Sequence, residues 1–152
     1  MLHLKLLNLL IYVMAILRGK VLMVFFLLIF SSCREKIQIS LIEEEYNVNL
    51  NAVEMDSVVT KERWNEMGLS DGEKCVSMYL SADELYKFYQ SISDKKNMKK
   101  GLIQDIIPLD YIYPEFANTT VLYLEKKRKD DEISNLVLDM EHGIIYYYLL
   151  MW

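Results

Sequence analysis

The first 33 residues constrain this chain most. They contain no Asp or Glu and only three Lys or Arg (Lys5, Arg18 and Lys20), followed by an unbroken apolar run over residues 21–30. Ten residues in a helix rise about 15 Å, roughly half the hydrocarbon core of a bilayer. That run alone is too short to span. A positive segment, an apolar stretch of this length and then small residues, here Ser31 and Ser32, have the layout of a secretory signal. The expectation is an address over residues 1–32 and a fold confined to residues 33–152.

The segment Ile29-Phe30-Ser31-Ser32-Cys33 resembles the lipobox of bacterial lipoproteins, with Phe30 where that family most often carries Leu. The resemblance covers residues 14–33. It implies cleavage between Ser32 and Cys33, diacylglycerol on the Cys33 thiol and acylation of the new amino terminus. Two or three acyl chains on one residue give stable attachment, whereas a single myristoyl chain binds only marginally. Such a protein is lipid-anchored in the bacterial cell membrane with its domain outside the cytoplasm. Arg34, standing where Asp often retains lipoproteins at the inner membrane, points to the outer membrane in a cell that has one. Residues 6–17 add a second apolar stretch interrupted by Asn8, and Met14 reads as the initiator of an ordinary signal peptide. The alternative is an uncleaved anchor over residues 6–30. It would place Arg18 and Lys20 near mid-membrane, at about 2.5–3.5 kcal/mol each.

The rest of the chain has the composition of one globular domain. Five Gly and two Pro in 152 residues exclude collagen-like and low-complexity chains, and two Cys exclude a disulfide-dense scaffold. Removing residues 1–32 takes the net charge from −5 to −8. That balance argues against nucleic acid, which needs a basic face, and for a basic partner. Cys75 lies in a strand-like run and reads as a small buried hydrophobe; a Cys33–Cys75 disulfide is the alternative if Cys33 carries no lipid.

Hydropathy periods predict an α+β domain with a small, mostly antiparallel sheet. Ile37, Ile39 and Leu41 alternate with polar residues, as do Tyr46, Val48, Leu50 and Ala52, so both segments read as strands joined by Glu43-Glu44-Glu45. Residues 60–67, between Thr60 as a cap and Gly68, read as a short helix. Ser70-Asp71-Gly72 reads as a turn into a strand at 75–80. Ser81 and Glu84 form a capping-box pair ahead of Leu85, Phe88, Tyr89 and Ile92, which predicts a helix over about 82–92. Leu102, Ile103, Ile106 and Ile107 suggest another short helix ended by Pro108, and Pro114 keeps its neighbourhood out of a central strand. A C-terminal meander completes the chain: strands at 121–125 and around Leu136, Leu138 and Met140, a Glu141-His142-Gly143 turn, and a last strand over 144–152. Apolar residues on both faces of that last strand predict a central position.

Chemistry is poorly marked. No phosphate-binding, zinc-protease or serine-hydrolase motif is present, and His142 reads as an exposed turn histidine. We expect no catalytic residue, no metal site and no cofactor. The functional expectation is an envelope lipoprotein with a non-catalytic binding domain, by analogy with small acidic immunity and inhibitor proteins. Its partners would be the membrane, through the lipid, and another envelope protein of basic character. The candidate contacts are the acidic clusters Glu43, Glu44, Glu45 and Asp130, Asp131, Glu132, with Cys33 as the lipidation site. An envelope structural or assembly factor and a hydrolase with an unmarked carboxylate pair are the alternatives.

Overall fold

A computed structural model describes residues 38–64, 72–93, 97–128 and 132–151. The expected signal and its Cys33, the turn at Ser70-Asp71, and Asp130 and Asp131 lie outside the described residues. The chain divides into two compact units, Met1–Ser40 and Leu41–Trp152. Every strand among the described residues belongs to the second unit.

Two of the longer elements differ from the hydropathy reading. Residues 38–46 are helical (α1) rather than extended. Leu41, which the alternating pattern sends inward, is 58% exposed, while Ile42 and Tyr46, four apart, are buried. Three consecutive Glu are good helix formers, and three alternating positions are too few to separate period 2 from an i, i+4 pair. Asn47 ends α1 with φ +50, and the Val48 N–H reaches back to the Glu43 carbonyl at 3.1 Å. That is the six-to-one bond of a Schellman cap, with Asn in the left-handed position. The supposed strand from Tyr46 is therefore a helix end and a loop. Glu43 pins that loop: its carboxylate accepts the backbone N–H and the side-chain amide of Asn51 at 2.7 and 2.6 Å.

The second difference is β1 (Met55–Trp64), a strand where a helix over 60–67 was expected. Val58, Val59 and Thr60 are β-branched and stiff at χ1, which favours extended backbone. Cross-strand pairing completes the strand: Arg63 lies opposite Glu73 at 2.8 Å, and Glu62 opposite Lys74 at 3.2 Å. Thr60 caps nothing.

The next strand and helix and the C-terminal meander agree with the sequence reading, whereas the short helix suggested by Leu102, Ile103, Ile106 and Ile107 is the end of a strand and a single 3-10 turn. β2 (Gly72–Leu80) leads into α2 (Ala82–Ser93). The Ser81 hydroxyl accepts the Glu84 N–H at 3.3 Å, as an N-cap should. The Glu84 carboxylate does not fold back to close the capping box; it takes the Glu54 N–H and Lys87 instead. A short strand β3 (Lys99–Leu102) precedes three 3-10 turns, Ile103–Asp105, Leu109–Tyr111 and Pro114–Phe116. Pro114 opens the last of these. β4 (Thr120–Lys127), β5 (Ile133–Asp139) and β6 (Ile144–Met151) form the expected meander.

The six strands among the described residues make one antiparallel sheet in the order β1-β2-β6-β5-β4-β3. β6 is central and buried along most of its length. Its side chains alternate between two apolar layers. Ile144, Tyr146, Tyr148 and Leu150 share one face with Cys75 and Val137, beneath Ile103, Ile107, Tyr111 and Ile112 of the segment 103–119. We call this the loop face. On the helix face, the Tyr147 ring meets that of Tyr46 from α1 edge-on at 6.3 Å between centroids. Leu85, Phe88 and Ile92 of α2 are buried too, and none belongs to the loop-face cluster.

The β5–β6 turn is built around Asp139, which is fully buried. One carboxylate oxygen accepts the N–H groups of Glu141 and His142, and the other lies 2.8 Å from His142 Nδ1. The imidazole stacks on Phe116 at 3.7 Å between centroids. His142 is thus a fixed, three-quarters-buried part of the turn, not the exposed histidine expected. Gly143, at φ +72, closes the turn against Leu80, whose N–H donates to the Gly143 carbonyl at 2.9 Å.

Candidate functional site

The loop face is only partly covered. The segment after β3 is pinned to the sheet margin, with the Ile103 N–H on the Thr119 carbonyl at 3.0 Å and the Gln104 N–H on that of Ala117 at 3.4 Å. Ile103 and Ile107 are driven into the core and carry Gln104, Asp105 and Pro108 along one side of a cavity of about 370 Å³. That volume is at the lower end of the range for small-molecule sites.

The floor of the cavity is a product of strand register. Glu125 on β4, Asn135 on β5 and Tyr148 on β6 lie directly opposite one another and share the loop face. One row further along, Ile133 and Leu150 complete an apolar end. Ile106 and Ile107 face them from the loop. The result is a half-apolar recess with two carboxylates, Asp105 and Glu125, and no Lys, Arg or His among its lining residues. Lys99 stands beside it, with Nζ 3.0 Å from Glu125 Oε1 and 5.8 Å from the centre of the Tyr123 ring. Burial, ahead of the charge of Glu73, pushes the Tyr148 hydroxyl up to about 12, so it stays a neutral donor at any physiological pH.

Asn135 is the unusual member. Its side chain is 6% exposed, and its Oδ1 is shut off from solvent with no hydrogen-bond partner. Buried polar atoms are rarely left bare, because each forfeits its bonds to water. The sequence carried a signal for it. Asn135 has the same parity as Val137 and Asp139 in a strand whose other residues to 138 are, apart from Ser134, apolar. A polar residue on the covered face of such a strand invites a question about its partner.

The expected contact residues fare differently from one another. Glu44 is exposed. Glu43 is occupied by Asn51. Glu45 does not belong to a solvated connection: its carboxylate receives the Tyr147 hydroxyl at 2.8 Å, the Ser134 hydroxyl and the Arg128 guanidinium at 3.4 Å. The Lys126 ammonium caps its backbone carbonyl. Tyr46 completes this helix-face network through Ser134 Oγ at 2.9 Å. Burial in first place, then Glu45, pushes the Tyr147 hydroxyl far above the ordinary phenol range. Glu45 ties α1 to the sheet and is not available as a contact. Glu132 pairs with Arg128 at 3.2 Å. Arg128 thus brings Glu45 and Glu132 together as ion-pair partners, and none of the described contact residues lines the cavity.

Cys75 is buried, as expected, and is a free thiol; desolvation pushes it up to about 12, which keeps it protonated and unreactive. Among the described residues no three His, Cys, Asp or Glu are grouped to hold a metal ion, and no helix is long and apolar enough to cross a membrane. No protein-family model, curated protein or solved structure matches the chain.

Proposed function

We propose that this chain is an envelope lipoprotein, held at the membrane by a lipid on Cys33, whose α+β domain is a non-catalytic binding module for a basic protein at that surface. In this reading it restrains or neutralises its partner by occupancy, as an immunity or inhibitor protein does. The observation that carries the reading is the loop-face cavity: a preformed recess with two carboxylates, no cation in its lining and an unpartnered buried amide. A net charge of −8 after removal of residues 1–32 supports it by steering positive partners toward the domain.

Two measurements test it. Palmitate labelling and intact mass of the full-length protein should give a lipid-modified product beginning at Cys33, and both signals should vanish in Cys33→Ala. A photo-crosslinking residue at Ile133, on the cavity floor, should trap one envelope protein in intact cells, while the same residue at exposed Lys87 on α2 should not. An unlabelled, uncleaved chain refutes the anchor. Identical crosslinking from both positions refutes the cavity as the binding site.

A further inference from the structure

The chemistry of the cavity specifies which group of the partner enters it. We propose that the recess receives a single arginine side chain, with its guanidinium shared between Glu125, Asp105 and Asn135 Oδ1. This rests on the binding-module reading and adds the ligand class.

The cavity lining carries hydrogen-bond acceptors and no cation of its own; Lys99 at its edge holds Glu125 at 3.0 Å, and an entering guanidinium shares or displaces that ammonium. Glu125 and Asp105 bring carboxylates from opposite sides, one from β4 and one from the loop. Asn135, between Glu125 and Tyr148 in the cross-strand row, brings a carbonyl oxygen with nothing to accept. The χ2 torsion of Asn is broad, so a modest rotation turns Oδ1 from its closed position into the recess. Three acceptors on different sides suit a planar fork of five N–H donors better than a compact ammonium with three. A guanidinium is also the more weakly hydrated of the two cations, and so loses less on entering a half-buried site. Lys99 already shows what Glu125 attracts.

The remaining walls fit the stem of that side chain. Ile106, Ile133 and Leu150 line a path for three methylenes, which arginine buries readily while its head stays polar. The Tyr148 ring offers a flat surface on which a guanidinium can stack. With about 30 Å³ of liquid volume per water, 370 Å³ holds one such side chain with a few bridging waters and no folded element.

The test uses the full-length protein in detergent and three blocked tripeptides, Gly-Arg-Gly, Gly-Lys-Gly and Gly-citrulline-Gly, with NMR on the side-chain amide of Asn135 as the site-specific readout. The arginine peptide should bind saturably and shift that amide. The lysine and citrulline peptides should bind at least tenfold more weakly. Glu125→Gln and Asn135→Leu should each weaken arginine binding at least tenfold, with thermal melts confirming that both variants fold. The comparison of the three peptides on the unmodified protein needs no variant. Equal binding of citrulline, which keeps the shape and loses the charge, would overturn the proposal, as would saturation without a shift at Asn135. If no arginine preference is found but Ile133 still crosslinks a single envelope protein, the ligand class is wrong and the binding module stands. If neither occurs, both readings fall together.

Discussion

Replacing Asn135 with Leu should make this protein more stable while it damages binding. Oδ1 sits bare in a side chain that is 6% exposed, and a buried acceptor without a partner costs about 1–3 kcal/mol. Leu keeps the branched outline of Asn and has no polar atom but is bulkier, so the substitution removes that cost, adds apolar burial beside Ile133 and Tyr148, and directs its extra bulk toward the recess that residue 135 lines. Overpacking in a closed core costs about 1–3 kcal/mol, and the open recess beside residue 135 keeps that cost at the lower end. The net expectation is a gain of about 1–2 kcal/mol. In urea, with a slope of about 1–3 kcal/mol per molar, the midpoint should rise by about 0.5–1 M at unchanged slope. The neighbouring residue supplies the opposite case. Ser134 is equally buried, but its hydroxyl joins Tyr46 and Glu45, so Ser134→Ala strands two groups and should lose about 1–3 kcal/mol. Two adjacent polar-to-apolar changes on one strand should thus move stability in opposite directions. A midpoint for Asn135→Leu that stays level or falls would refute the reasoning, because it would mean that Oδ1 is satisfied in the unliganded protein and is not held for a ligand.

Three further expectations concern the frame. Gly143→Ala forces an L residue to φ +72 with its Cβ 2.6 Å from the Leu80 carbonyl oxygen; the left-handed backbone alone costs about 1–3 kcal/mol, and a urea midpoint within 0.2 M of the parent (about 0.4 kcal/mol at a typical slope) would contradict the turn geometry. Ser81→Ala removes the cap of α2 and should cost about 0.5–2 kcal/mol, with Ser81→Thr or Ser81→Asp restoring most of it in the same denaturation assay. Burial raises Tyr46, Tyr79, Tyr111, Tyr146, Tyr147 and Tyr148 above the ordinary phenol value of 10.0. The unfolded chain therefore loses these protons before the folded one does, so stability is fully present below pH 10 and declines as pH rises through the folded values, about 12 for Tyr148. Ultraviolet phenolate absorbance should show these hydroxyls titrating together with unfolding; six independent titrations near pH 10 with the fold intact would show them solvated.

What the sequence revealed depended on how many periods each element repeats. α2 was legible because a cap and four apolar residues at helical spacing agree over twelve residues. β6 was legible as central because both of its faces are apolar over eight. α1 and β1 failed for the same reason in opposite directions. Ile39 and Leu41 mimic a strand for two steps, and Thr60 and Gly68 mimic helix caps around a segment that gains its shape only by pairing with Glu73 and Lys74 on another strand. The cavity was less legible still. Glu125, Asn135 and Tyr148 are brought level by β-sheet register, and no local pattern places residues from three strands in one row. Glu45 was misjudged because a run of three acids looks solvated, whereas the helix turns only one of the three toward Tyr147 and Ser134.

The strand order also bears on how the chain is made. β6 sits between β2 and β5, so the two halves of the sheet, β1-β2 and β3-β4-β5, have no shared edge until the last strand of the sequence is inserted. A nascent chain emerging N-terminus first can form each hairpin locally, but the apolar layers of both faces close only once residues 144–151 are free. Folding therefore waits on β6 and relies on contacts distant in sequence, which are slow to form. Until then the chain consists of separate hairpins whose apolar faces lack their shared central strand.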